Sequence, residues 1–199
     1  MTNQVEILVV TGQHSFTGSV ENRGLRILDV LNDANTHFLK LHEVSIYRGF
    51  DKTCIQQVSE TLFPKTIIDF VLLKRQPHEA PMRRAHSLIT KDRHVAMVVL
   101  DHYEIRGDFM SKGAVDPMLV LHADSPAFFP IVSPDIYLGT IGETVYSNVA
   151  IVNKAKVSLF HYDRPRTAEE SAPRPKTQLR DFVAADAVPM AASGPRSQE

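Results

Sequence analysis

Nine histidines are the residues of this 199-residue chain best suited to chemistry, and their spacing decides what they can do. His14, His37, His42, His78, His86, His94, His102, His122 and His161 contain no His-x-x-x-His on a helix, no His-Glu-x-x-His and no repeated His-x-His. Those are the spacings that converge imidazoles on zinc. The closest approaches are Asp101-His102 and His122-Ala123-Asp124. On a strand, residues i and i+2 share a face, so His122 and Asp124 can touch. An ordinary surface pair is the simpler reading, because a metal site needs third and fourth ligands that nothing nearby nominates. Cys54 is the only cysteine, which excludes an internal disulfide and any cysteine-based zinc site, and it reads as a small buried hydrophobe. No Gly-x-Ser-x-Gly elbow, phosphate-binding loop or dinucleotide fingerprint is present, and the carboxylates show no acid–base spacing. The expectation is a non-enzymatic protein with no catalytic residue, metal or cofactor.

Bulk properties agree with a soluble globular chain. Hydrophobic residues make up 43% and charged residues 23%, which allows a sizeable core in one or two domains. A net charge of −1 provides no global field toward nucleic acid or an anionic membrane, so any such binding has to be local. Met1-Thr2-Asn3-Gln4 leads straight into a β-branched run without the regions of a signal peptide, and no apolar run approaches membrane-spanning length. A cytoplasmic protein without membrane insertion is expected.

The elements that must position any site are read from Val5 to Gly49. Val5–Val10 is a strand closed by Thr11-Gly12, and His14–Val20 alternates around an interior Gly18. Asn22-Arg23-Gly24 turns the chain. Arg26–Leu31 reads as a third strand, Asn32–Asn35 as a turn, Thr36–Leu41 as a fourth strand, His42-Glu43 as a corner and Val44–Arg48 as a fifth strand. Five short strands at this spacing predict a small, strongly bent barrel. Val9-Val10-Thr11-Gly12, Thr17-Gly18-Ser19-Val20, Leu28-Asp29-Val30-Leu31-Asn32 and Lys40-Leu41-His42-Glu43-Val44 together resemble Sm-like domains, a group of SH3-like barrels that includes the bacterial Sm-like RNA chaperone. The resemblance implies nucleic-acid contacts from the turn before the third strand and from the corner after the fourth. Those positions are Arg23, Arg26, Asn32, His42 and Arg48. The lysine that should directly precede His42 is displaced to Lys40. At the corresponding corner of a second unit, described next, stand Ile131-Val132-Ser133, with Leu138 in the place of Arg48.

That second unit is visible as an internal repeat. Ile105–Phe109 matches Phe16–Val20, Phe128–Ile131 matches Phe38–Leu41, Ile136–Gly139 matches Ile46–Gly49, and Asn153–Phe160 matches Pro64–Val71. An offset of about 89 residues is too long for a solenoid repeat and indicates a tandem duplication. The nearly continuous apolar run Thr66–Leu73 reads as a strand buried on both faces, covering a barrel or pairing with another copy of the unit. The expected fold class is all-β: two tandem small SH3-like or Sm-like barrels with extra strands and a disordered C-terminal tail. The divisions fall at 1–74 and 95–162 for the two barrels, 75–94 for a basic linker and 163–199 for the tail. Pro117, Pro126, Pro130 and Pro134 lie in the second unit. Proline cannot donate to a ladder, so first-unit edges are the expected pairing edges.

Two segments could recruit partners. Lys74–His94 carries a net charge of +4 and includes Arg83 and Arg84, which suits phosphates or an acidic partner, although a solvated linker has the same composition. The tail holds five prolines and equal numbers of basic and acidic side chains, so it cannot bury enough apolar area to offset chain entropy. Within it, Leu179, Phe182 and Val183 form an apolar island suited to docking on a partner. The expected function is assembly, scaffolding or adaptor work, as a homo-oligomer or as a subunit of a larger assembly. An Sm-like RNA-binding role is the alternative.

Overall fold

A computed structural model of the chain describes residues 4–50, 53–73, 92–111, 116–139 and 141–165. The strands are β1 (Gln4–Thr11), β2 (His14–Glu21), β3 (Phe38–Arg48), β4 (Cys54–Pro64), β5 (Phe70–Leu73), β6 (Asp92–Val99), β7 (Tyr103–Ser111), β8 (Phe128–Leu138), β9 (Glu143–Tyr146), β10 (Val149–Asn153) and β11 (Leu159–Pro165). Two five-residue helices interrupt them, α1 (Ile27–Leu31) and α2 (Pro117–Leu121). The fold is all-β, with every strand pair antiparallel. One sheet runs β11-β6-β7-β8-β10-β5-β1-β2-β3-β4, with β9 also on β8, and it does not close on itself. No described helix is long and apolar enough to cross a membrane.

The same sequence of elements occurs twice. Ile7 faces Gly18 across β1 and β2 as Ala96 faces Gly107 across β6 and β7. In β3 and β8 the chain bends at Glu43 (φ 51°) and Ser133 (φ 49°), non-glycine residues in the left-handed region. Glycine at 18 and 107 is required by close approach across these bends. A Cβ on Gly18 would lie 2.9 Å from the His42 carbonyl oxygen, and one on Gly107 would lie 2.5 Å from Ile131 Cγ2 and 2.8 Å from the Val132 oxygen. A lysine that holds the chain after each helix recurs as well, buried at Lys65 and half-buried at Lys154. Lys65 Nζ donates to the Val30 and Asp33 carbonyls and to Thr36 Oγ1, using all three of its donors on the chain that leaves α1. Lys154 Nζ does the same after α2, on the carbonyls of His122, Ala123 and Ser125.

Four sequence expectations change. Ile27–Leu31 is a helix, not a third strand, held by tertiary bonds at its end. Thr36–Leu41 and Val44–Arg48 are not two strands: the corner at Glu43 bends β3 without ending it, because pairing with β4 continues on both sides. The expected barrels give way to one open sheet. Cys54 is exposed at the start of β4, not buried. The strand boundaries also place 92–94, assigned to the linker, in β6, while β11 extends past 162.

Two hydrophobic clusters cover opposite faces of the central strands, and each draws on both halves of the chain. Ile7, Val9, Leu39, Leu41, Phe63 and Val71 pack with Phe128 and Ile151 from the second half. Ala96, Val98, Ile105, Ile131 and Ile136 pack with Leu8, Val10, Phe50, Phe70 and Leu72 from the first. Alternate residues of β1 therefore serve both clusters, as expected of a strand buried on both faces.

Candidate functional site

The strand β5 lies at the centre, paired with β1 on one side and β10 on the other. All four of its residues are buried. Only the second half of the run read as a strand at Thr66–Leu73 pairs with the second unit, while Thr66 and Ile67 belong to a 3-10 turn at Lys65–Ile67. Across this internal junction Ala150 faces Leu72, Ile151 faces Val71 and Val152 faces Phe70. Polar locks fix it. Asn153 donates its backbone N–H to the Asp69 oxygen (3.0 Å) and its side-chain amide to the Ile68 oxygen (2.8 Å) and the Lys65 oxygen (3.3 Å). Asn32, at the end of α1, accepts from the Phe128 N–H (2.8 Å) and donates to the Phe128 carbonyl (2.9 Å). Tyr103 donates its hydroxyl to the Gly12 carbonyl (2.7 Å) and packs edge-on against Phe70.

Asp69 is the polar hinge of the same junction. Its Oδ2 accepts from the Gly12 N–H at 2.6 Å. Burial pushes its carboxyl above the usual range, against the lowering effects of that bond and of Lys156 and His102. Burial, with the Asp69 charge adding to it, pushes the Tyr103 hydroxyl up to about 12. A raised folded-state value means that the native chain binds the proton more tightly than the unfolded chain, so this group's contribution falls as pH rises through that window. Asp69→Asn keeps an acceptor for Gly12 and removes the charge. Thermal midpoints of the two proteins from pH 4 to 7 are expected to diverge, with the wild type losing ground to the variant as pH rises. Parallel curves would show that Asp69 carries no such cost.

Among the described residues β9 is a short side strand on β8, while β4 and β11 are the two end strands of the sheet, each with a single partner. They are the equivalents of the strands that meet at the internal junction. β4 pairs with β3 as β9 and β10 pair with β8, and β11 pairs with β6 as β5 pairs with β1. The residues invert their burial accordingly. Phe128 is 2% exposed, whereas its equivalent Phe38 is 54% exposed, and Ile151 at 2% corresponds to Leu62 at 57%. On the other side Phe70 at 0% corresponds to Leu159 at 48%, and Leu31 at 2% to Leu121 at 38%. Met118 and Leu119 on α2 are exposed beside Leu121. The two ends therefore display apolar surface that the same positions bury at the centre.

The residues nominated from sequence are not gathered into one site. Asn32 is used inside the fold as the clamp on Phe128. Lys40 (2.7 Å) and His42 (3.6 Å) both approach Glu60, whose carboxyl lies below its usual range because Lys40 donates to it. Arg23 and Arg48 are exposed, and Arg26 is half-buried at the start of α1. Arg83, Arg84, Leu179, Phe182 and Val183 lie outside the described residues. His122 and Asp124 sit in the turn after α2, not on a strand, 3.5 Å apart and exposed. Among the described residues no cluster of three or more His, Cys, Asp or Glu side chains could hold a metal ion. The proline argument holds only in part: β4 is a free edge, but the other free edge, β11, belongs to the second half. Pro130 lies within interior strand β8, opposite Ile151. Comparison with family models, with curated proteins and with solved structures finds no match.

Proposed function

We propose that this protein is a non-enzymatic assembly or scaffold subunit that works by associating through the two free edges of its sheet. One observation carries the reading: apolar positions buried at the internal junction have exposed equivalents at both ends, Phe38, Leu62 and Leu159 among them, where the strands have no second partner among the described residues. A row of unpaired backbone groups beside exposed apolar side chains is a template for strand addition. Each half of the chain, with strands ordered β5-β1-β2-β3-β4 in the first, is read as one bent, Sm-like unit. Its support is the interior glycine facing a left-handed bend in each half. Light scattering coupled to size exclusion tests the function. Expected is a mass that is a multiple of 22.3 kDa and falls on dilution, without co-eluting nucleic acid. A concentration-independent monomer would overturn the assembly reading. Co-eluting RNA released by salt would favour the RNA-binding alternative.

A further inference from the structure

We infer that each free edge is filled by the opposite edge of a second copy of this chain, joined in the register of the internal β10–β5 pairing. The inference rests on the assembly reading and specifies its partner. Transferring the internal register through the repeat places Thr61 opposite His161, Leu62 opposite Phe160 and Phe63 opposite Leu159, where Ala150 faces Leu72, Ile151 faces Val71 and Val152 faces Phe70 within the chain. The same operation brings α2 of one copy against Phe38 of the next, as α1 now lies against Phe128. The exposed apolar groups on both sides are thereby covered by each other. Pairing like with like, β4 on β4 or β11 on β11, repeats no contact found in the molecule and leaves the exposed residues of α2 without Phe38. The contact is accordingly head-to-tail, using two different surfaces of each copy.

The joint between copies lacks the polar locks of the joint within the chain. Pro64 stands where Asn153 donates three hydrogen bonds, and proline has no N–H to offer. His122 stands in the place of Asn32, and His14 in the place of Tyr103. The ladder and the apolar contacts are retained while these specific bonds are not. The joint between copies is therefore the weaker and reversible one.

Cross-linking tests the register. Directly opposed residues of antiparallel strands have Cα atoms about 4.5–5.5 Å apart, within disulfide range. In a Cys54→Ser background, Thr61→Cys and His161→Cys are prepared as separate proteins, both sites being peripheral and checked by an unchanged thermal midpoint. On oxidation the mixture is expected to give a covalent dimer of twice the chain mass, neither protein alone should do so, and the doubly substituted chain should give a ladder. A dimer from either single variant alone would show like-edge pairing and overturn the head-to-tail contact, leaving the assembly reading intact. No cross-link with a multimeric mass would overturn the register only. No cross-link with a monomeric mass would overturn both.

Discussion

Ile151→Asp is expected to prevent folding, while Leu62→Asp, the same change at the equivalent position, leaves the fold intact and abolishes association. Ile151 is 2% exposed, faces Val71 across the internal junction, and packs in the cluster that holds Ile68, Leu73 and Phe128. Removing such a side chain costs about 2–5 kcal/mol, and leaving a carboxylate there without a partner adds several more. Total stability of a domain is about 5–15 kcal/mol, so the combined loss removes most or all of it. Leu62 is 57% exposed on a strand without a second neighbour among the described residues. Substitutions at such sites usually shift stability by about 0.5 kcal/mol or less. An edge charge, however, is a common way of blocking strand addition. Circular dichroism during heating and light scattering on both variants give the contrast. A Leu62→Asp protein that retains its multimeric mass would exclude β4 from the contact.

The second large effect is expected at the bends. Gly107→Ala forces a methyl group to 2.5 Å from Ile131 Cγ2, 2.8 Å from the Val132 oxygen and 3.0 Å from the Pro134 Cα. Two of those neighbours are backbone, and Pro134 follows the left-handed Ser133 in a strand paired on both sides, so little can give. Overpacking of this kind costs about 1–3 kcal/mol, and the three simultaneous contacts place this site at the upper end. Gly18→Ala meets one backbone atom at 2.9 Å and a Val44 methyl at 3.2 Å. It should cost less, because the valine side chain can shift. Chemical denaturation of both variants should rank them in that order with unchanged slopes. The reverse ranking would mean that the β8 bend relaxes more readily than the β3 bend.

The repeat was legible in the sequence because its markers are side chains with fixed backbone demands. Gly18 and Gly107 recur where the opposite strand comes too close for a Cβ. Phe38 with Phe128, and Ile46 with Ile136, recur because each pair holds the same place on its bent strand. The apolar run at 66–73 likewise announced a strand covered on both faces, although only Phe70–Leu73 forms it and Thr66 and Ile67 lie in the 3-10 turn before it. The helix α1 was not legible. Ile27-Leu28-Asp29-Val30-Leu31 is β-branched at two of five positions and spans little more than one turn, too short for a helical period. What keeps it helical lies far off in sequence: Lys65 on its last carbonyls and Asn32 on Phe128. The exposure of the two end strands was hidden for a related reason. Composition marks a strand as apolar or polar, but Phe38 and Phe128 are the same residue type. Only the order of strands in the sheet decides which of them is covered. For the candidate nucleic-acid residues, spacing alone gave no sign that Asn32 is occupied within the fold or that Lys40 and His42 lean on Glu60.

The joint between β10 and β5 also governs counting. Because it is carried within one polypeptide, its two sides are always present at fixed effective concentration and do not separate on dilution. Bent units therefore enter and leave any assembly in twos. With the proposed contact between copies, a closed ring of these chains would hold an even number of units, with strong and weak seams in strict alternation, and would break into whole chains rather than single units.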